Sequence, residues 1–153
     1  ASGVEIKAGT PEADLFCEAL NTVTAALARA MVMDGEGVTK FVAVEVKGAA
    51  NDHDARICAR AIANSMLCKT AWFGCDPNWG RVLAAAGYSG AKFNPDLVNM
   101  DYDEMAVIRG GMDAGTPEST LCEVMKRREF TIHLNLGVKI QQLVFLLITK
   151  LLL

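Results

Sequence analysis

The hydrophobic pattern of this chain switches repeatedly between a helical and a strand period, and that alternation restricts it to helices layered on a sheet. Along residues 11–33, Phe16, Leu20, Val23, Leu27 and Met31 recur on one helical face. Thr10 is placed to cap this helix and Pro11 takes its first position. Glu12 and Asp14 lie in the first turn, where the helix dipole favours acids. Asp34-Gly35 is expected to end the helix, with glycine in the left-handed conformation. Residues 41–47 then read as a strand, Val42, Val44 and Val46 alternating with Ala43, Glu45 and Lys47. Glu45 is expected on the solvent side.

The same reading continues down the chain. Asn51 caps a second helix with acids at Asp52 and Asp54 and a buried stripe of Ala55, Cys58, Ile62 and Met66. Residues 70–73 are expected to form a short strand. The turn Asp76-Pro77-Asn78 leads into an alanine-rich helix ending near Gly87, with Asn78 as its cap. Val98, Met100 and Tyr102 alternate as a strand, with a paired neighbour over 105–108. Thr116-Pro117-Glu118 repeats the cap-then-proline start for a helix to about Lys126. Phe130, Ile132, Leu134 and Leu136 mark a last half-buried strand. The fold class is therefore α/β, with α+β the alternative. Residues 138–153 change character and end in three leucines. A core strand, a terminal helix and a tail foreign to the rest of the chain all fit that stretch. Its apolar run, 143–148, is far short of the ~20 residues that cross a bilayer.

Composition narrows the partners. The 153 residues amount to about one domain, and 52% hydrophobic against 22% charged excludes a disordered chain. A net charge of −3 and 7% aromatics argue against nucleic acid, and no membrane segment is expected. The five cysteines form no CxxC pair, so neither a disulfide framework nor a zinc site is expected. Reduced, mostly buried thiols in a cytoplasmic protein are the expectation. His53 and His133 lack ligand-spaced partners, so no metal is expected. The N-terminus shows no signal-peptide pattern. No P-loop, dinucleotide fingerprint or nucleophile elbow occurs.

Three stretches can carry chemistry. In Asp34-Gly35-Glu36-Gly37, a carboxylate stands between two glycines, so a ligand's polar end can approach backbone and carboxylate together. Such a group suits an α-ammonium or a proton transfer, although from the residues alone a plain solvated turn with an exposed glutamate is the favoured reading. The run 65–71 contains Lys69, readable as a strand-edge lysine. In the run 74–81, turn chemistry accounts for Pro77, Asn78 and Trp79, and Arg81 can pair with Asp76.

The blocks DGEGVTKFVAVEVKGA (34–49), AIANSMLCKTA (61–71) and GCDPNWGRVLAAAGYSG (74–90), in that order and spacing, resemble the ornithine acetyltransferase (glutamate N-acetyltransferase) family over about residues 1–137. The resemblance implies a portion of that family's β chain. It also implies a layered helix–sheet domain of the αββα, N-terminal-nucleophile-like fold. On it, residues 1–40 complete the catalytic sandwich, 41–137 form an α/β domain, and 138–153 have no family counterpart. The implied activity moves acetyl from N-acetylornithine to glutamate through an acetyl-threonine formed after autocatalytic cleavage, in arginine biosynthesis. It needs no cofactor, though some members also use acetyl-CoA as donor. Glu36 matches the family's substrate-contacting glutamate. The nucleophilic threonine has no match here; neither Thr10 nor Thr22 stands in its place. No catalytic residue is therefore assigned, and the isolated chain is expected to be inactive. The implied partners are the α chain and the remaining N-terminal part of the β chain, as an αβ heterodimer that oligomerises further. The alternatives are a non-catalytic chain keeping a small-amine surface, or a related acyltransferase of specialised metabolism.

Overall fold

The computed structural model describes residues 2–138 and 145–150. In chain order the elements are α1 (Pro11–Met33), β1 (Phe41–Lys47), α2 (Asp52–Asn64), α3 (Met66–Phe73), α4 (Trp79–Gly87), β2 (Asn99–Tyr102), β3 (Met105–Arg109), β4 (Met112–Asp113), α5 (Glu118–Lys126), β5 (Glu129–Asn135) and β6 (Phe145–Lys150). The strands make one mixed sheet in the order β4-β3-β2-β5-β1-β6. Its parallel pair is β1 and β5, in register from Phe41↔Glu129 to Lys47↔Asn135. β2 lies antiparallel to β5, and β6 pairs antiparallel with β1 at the far edge. The layered helix–sheet class expected from the sequence is what forms. Of the expected tail 138–153, residues 139–144 and 151–153 lie outside the described residues, while 145–150 form the edge strand.

The core occupies one face of this sheet. Val42, Val44 and Val46 of β1, Phe130, Ile132 and Leu134 of β5, and Met100 and Tyr102 of β2 are buried there. They pack under Ala55, Cys58, Ala59 and Ile62 of α2, Trp72 of α3, Val82 of α4 and Val124 of α5 in one cluster. Trp72 and Tyr102 each meet the Phe130 ring edge-on at 6.4 Å, a favoured aromatic geometry.

Several local expectations hold and others do not. Thr10 caps α1 by accepting from the Ala13 amide, and Asn51 caps α2 by accepting from Asp54. Residues 70–73 are not a strand but the last turn of α3. Ser65 Oγ accepts from the Cys68 amide at 3.3 Å and starts that helix, and Cys68 and Trp72, one turn apart, share its buried side. Lys69 therefore lies on a helix and not on a strand edge. Met66 leaves the α2 stripe and is 60% exposed, because α2 stops at Asn64. Pro117, not Thr116, takes the cap position of α5 and supplies no side-chain hydrogen bond. Gly35 is not the left-handed residue after α1. The chain ends that helix at Asp34 (φ −88°) and turns left-handed at Gly37 (φ 68°).

α1 is packed inside out relative to its sequence. Its small and charged side, Ala25, Ala26 and Arg29, faces the second face of the sheet and encloses a cavity of about 500 Å³ with Phe41, Ala43 and Thr131. The Arg29 guanidinium stands 4.5 Å above the Phe41 ring and pairs with Glu129. The apolar stripe points away: Phe16, Leu20, Val23, Leu27 and Met31 are 49–77% exposed, and no α1 residue is buried. By length and composition alone α1 could cross a bilayer.

Candidate functional site

The first candidate motif forms the tight link from α1 to β1. The Val38 amide donates to the Gly35 carbonyl at 3.1 Å, and the left-handed Gly37 closes the turn. Glu36 sits at its tip, exposed, with no hydrogen bond or ion pair among the described residues. It lines none of the cavities described here. Its position comes from the backbone on either side. Lys40, only 7% exposed, anchors the far end of the link, its Nζ donating to the Met125 carbonyl and, at 3.4 Å, to that of Arg127. Those are carbonyls at the C-terminus of α5, where a helix leaves acceptors unpaired and favours positive charge. The turn thus holds one free carboxylate on a pinned backbone, suited to receiving an ammonium group.

The second and third motifs form one local unit. α3 ends in a paired C-cap: the Cys75 amide donates to Trp72 O (3.2 Å) and the Asp76 amide to Ala71 O (2.9 Å). This leaves Cys75 left-handed (φ 56°), where glycine is usual. Asn78 does not cap α4; its Nδ2 donates to Asp76 Oδ2 at 3.3 Å. Arg81 Nη1 donates to Leu67 O (2.9 Å) and Thr70 Oγ1 (3.1 Å), binding α4 to α3, while Arg81 Nη2 lies 4.0 Å from Asp76. Beside this unit, Asp76, Asn78, Trp79, Asp113, Thr116 and Glu118 line a cleft of about 350 Å³. The structure does not join Glu36 to it.

One polar constellation escaped sequence reasoning. Glu45 and His133 are register partners on β1 and β5, and the Glu45 carboxylate hydrogen-bonds His133 Nδ1. Glu45 Oε1 also meets Lys47 Nζ at 3.0 Å. Burial pushes the Glu45 pKa up, but hydrogen bonds and charge from Lys47 and His133 win and hold it below its ordinary value. Its side chain is only 15% exposed, so Glu45 is not the free solvent-side residue expected. Only the spacing of two distant strands could have signalled the pair.

Among the described residues, no three His, Cys, Asp or Glu side chains are grouped to hold a metal. All five thiols are free, with Cys58 and Cys68 buried, Cys75 and Cys122 half-buried and Cys17 exposed. Burial pushes the Cys58 thiol up to about 12 and raises that of Cys68, so both are inert at neutral pH. The buried Tyr102 hydroxyl has no hydrogen-bond partner among the described residues, and burial raises its pKa as well.

A family model described as the ArgJ family matches residues 1–146. The arginine biosynthesis bifunctional protein ArgJ of Chlorobaculum tepidum is 46% identical over 135 residues, covering 88% of this chain and 33% of that protein. Its counterpart in Geobacter sulfurreducens is 46% identical over 129 residues, covering 84% and 33%. The crystal structure of ArgJ from Bacillus halodurans superposes with a TM-score of 0.89 at 32% identity, covering 97% of this chain and 69% of that one. The chain spans about a third of the length of the curated relatives it matches.

Proposed function

The chain belongs to the ArgJ family, and from that membership we propose that it is a β-chain portion of an acetyltransferase of arginine biosynthesis. In this reading acetyl passes from N-acetylornithine to glutamate in two steps. A threonine oxygen, supplied by the remainder of the protein, attacks the acetyl carbonyl; the C–N bond breaks and the proton goes to the departing ornithine amine. The amine of glutamate then attacks the acetyl ester and restores the threonine. No cofactor takes part, although acetyl-CoA is an admissible alternative donor. The setting is cytoplasmic.

Within this chain, Glu36 is the residue proposed to act. Its free carboxylate on a pinned backbone is the observation that carries the reading, since it can receive the ammonium of either amino acid. The outward apolar stripe of α1 supports the proposed partners, the α chain and the rest of the β chain, because it leaves a surface for them to bury. The test is a chimera in which this chain replaces the aligned 135 residues of the Chlorobaculum tepidum relative. Acetyl transfer by the chimera is expected; a folded chimera without transfer would refute the assignment.

A further inference from the structure

The hold on Glu36 extends well beyond its own turn. On the N-terminal side α1 contributes little. None of its residues is buried, and its Arg29–Glu129 pair is 48% and 41% exposed, a kind of contact that constrains weakly. On the other side the end of α5 takes over. Lys40 Nζ donates to the Met125 carbonyl and, at 3.4 Å, to that of Arg127, and the Phe41 amide donates to Arg128 O at 2.8 Å. Carbonyls of Met125, Arg127 and Arg128 thus fix the chain directly after the turn.

The end of α5 is itself held from a third element. Arg127 reaches the turn between β2 and β3, its Nη1 donating to Asp103 Oδ2 at 2.7 Å and its Nη2 to Glu104 Oε1 at 3.0 Å. Asp103 also accepts the Thr131 amide of β5 with Oδ1 at 2.7 Å, so one carboxylate joins α5 to the sheet. Glu36 has no side-chain partner of its own among the described residues, and its backbone alone decides where the carboxylate stands. We propose that the end of α5 is the positioning element for Glu36 in acetyl transfer, with Lys40 and Arg127 as positioning residues. Both act through the backbone of the turn and neither touches substrate. The inference rests on the role proposed for Glu36. A misplacement of about 1 Å can cost ~100-fold in rate, so loosening the turn through Lys40 is expected to cost about tenfold.

A double-mutant cycle on kcat/KM in the Chlorobaculum tepidum chimera tests this, run at a temperature where circular dichroism shows every variant folded. Lys40→Met should lower kcat/KM about tenfold by itself. In a Glu36→Gln background it should stay within about twofold of no effect, because a carboxylate that is gone cannot be misplaced. Lys40→Arg, which keeps the charge and the donors, should recover part of the loss. Arg127→Met, at a side chain 45% exposed, gives a second cycle free of any buried change and should show the same dependence on Glu36 to a smaller extent. Lys126→Met removes a lysine that pairs with Glu123 at the same helix end, and should be silent in both backgrounds. Equal losses with and without Glu36 would overturn the proposal and leave Lys40 a purely structural residue, with the role of Glu36 intact. A Glu36→Gln chimera as active as the parent, or a folded chimera without transfer, would overturn that role and this inference together.

Discussion

Replacing Lys40 with methionine tests how the Glu36 turn is held. The substitution keeps the length of the buried stem and removes only the ammonium. Two acceptors at the end of α5 then lose their donor: Met125 O, closely bonded, and Arg127 O at 3.4 Å. A hydrogen bond to a charged group is worth about 1.5–3 kcal/mol, and the longer contact lies at the weak end. Relief of lysine's own desolvation offsets part of the loss, so a net cost of about 2–3 kcal/mol is expected. For a chain of this length that lowers Tm by about 6–9 °C. Urea and thermal unfolding of Lys40→Met, beside the exposed Lys7→Met, supply the measurement. A change within about 0.5 kcal/mol of the parent would show that Lys40 does not secure α5, and the pinned-turn argument would fail with it.

In the chimera, Glu36→Gln should lower kcat/KM about 10- to 100-fold with Tm unchanged, the loss of one charge-assisted bond, whereas exposed Glu5→Gln should be silent. Mass spectrometry of the isolated chain incubated with N-acetylornithine should find no acetyl adduct; a stable adduct would refute the proposal that the nucleophile lies in the remainder of the protein. Glu45 has a depressed pKa in the folded state, so its contribution is present above its ordinary value of 4.5 and is lost as pH falls through the lower folded value. Glu45→Gln should accordingly be less stable than the parent at pH 7 and converge with it in unfolding experiments as pH falls below that lowered value. Gly111 is left-handed (φ 75°), and a Cβ there would stand 2.5 Å from Pro95 O and 3.0 Å from Asp96 Cα. Gly111→Ala should therefore cost about 2–3 kcal/mol by urea unfolding, and an unchanged midpoint would mean that the loop yields freely.

Residue order alone determined the elements whose signals are local. α1 with its Thr10 cap, the inward valines of β1, the Asn51 start of α2 and the alternation of β5 follow from periodicity and capping, which act between residues a few positions apart. The three motif blocks likewise disclosed the family, and Glu36 was marked by its flanking glycines. Tertiary structure decided what depends on distant neighbours. Residues 70–73 became helix because a cap at Ser65 and burial of Trp72 against Phe130 outweighed a short apolar run. The α1 stripe, which reads as a core-facing side, is left exposed, while Ala25, Ala26 and Arg29 face the sheet across a cavity. Lys40 reads as an ordinary loop lysine until α5 brings two open carbonyls to it from more than eighty residues away. Glu45 and His133 met for the same reason: strand register is set by burial of the opposite sheet face, which places their side chains together without any local pattern to announce it.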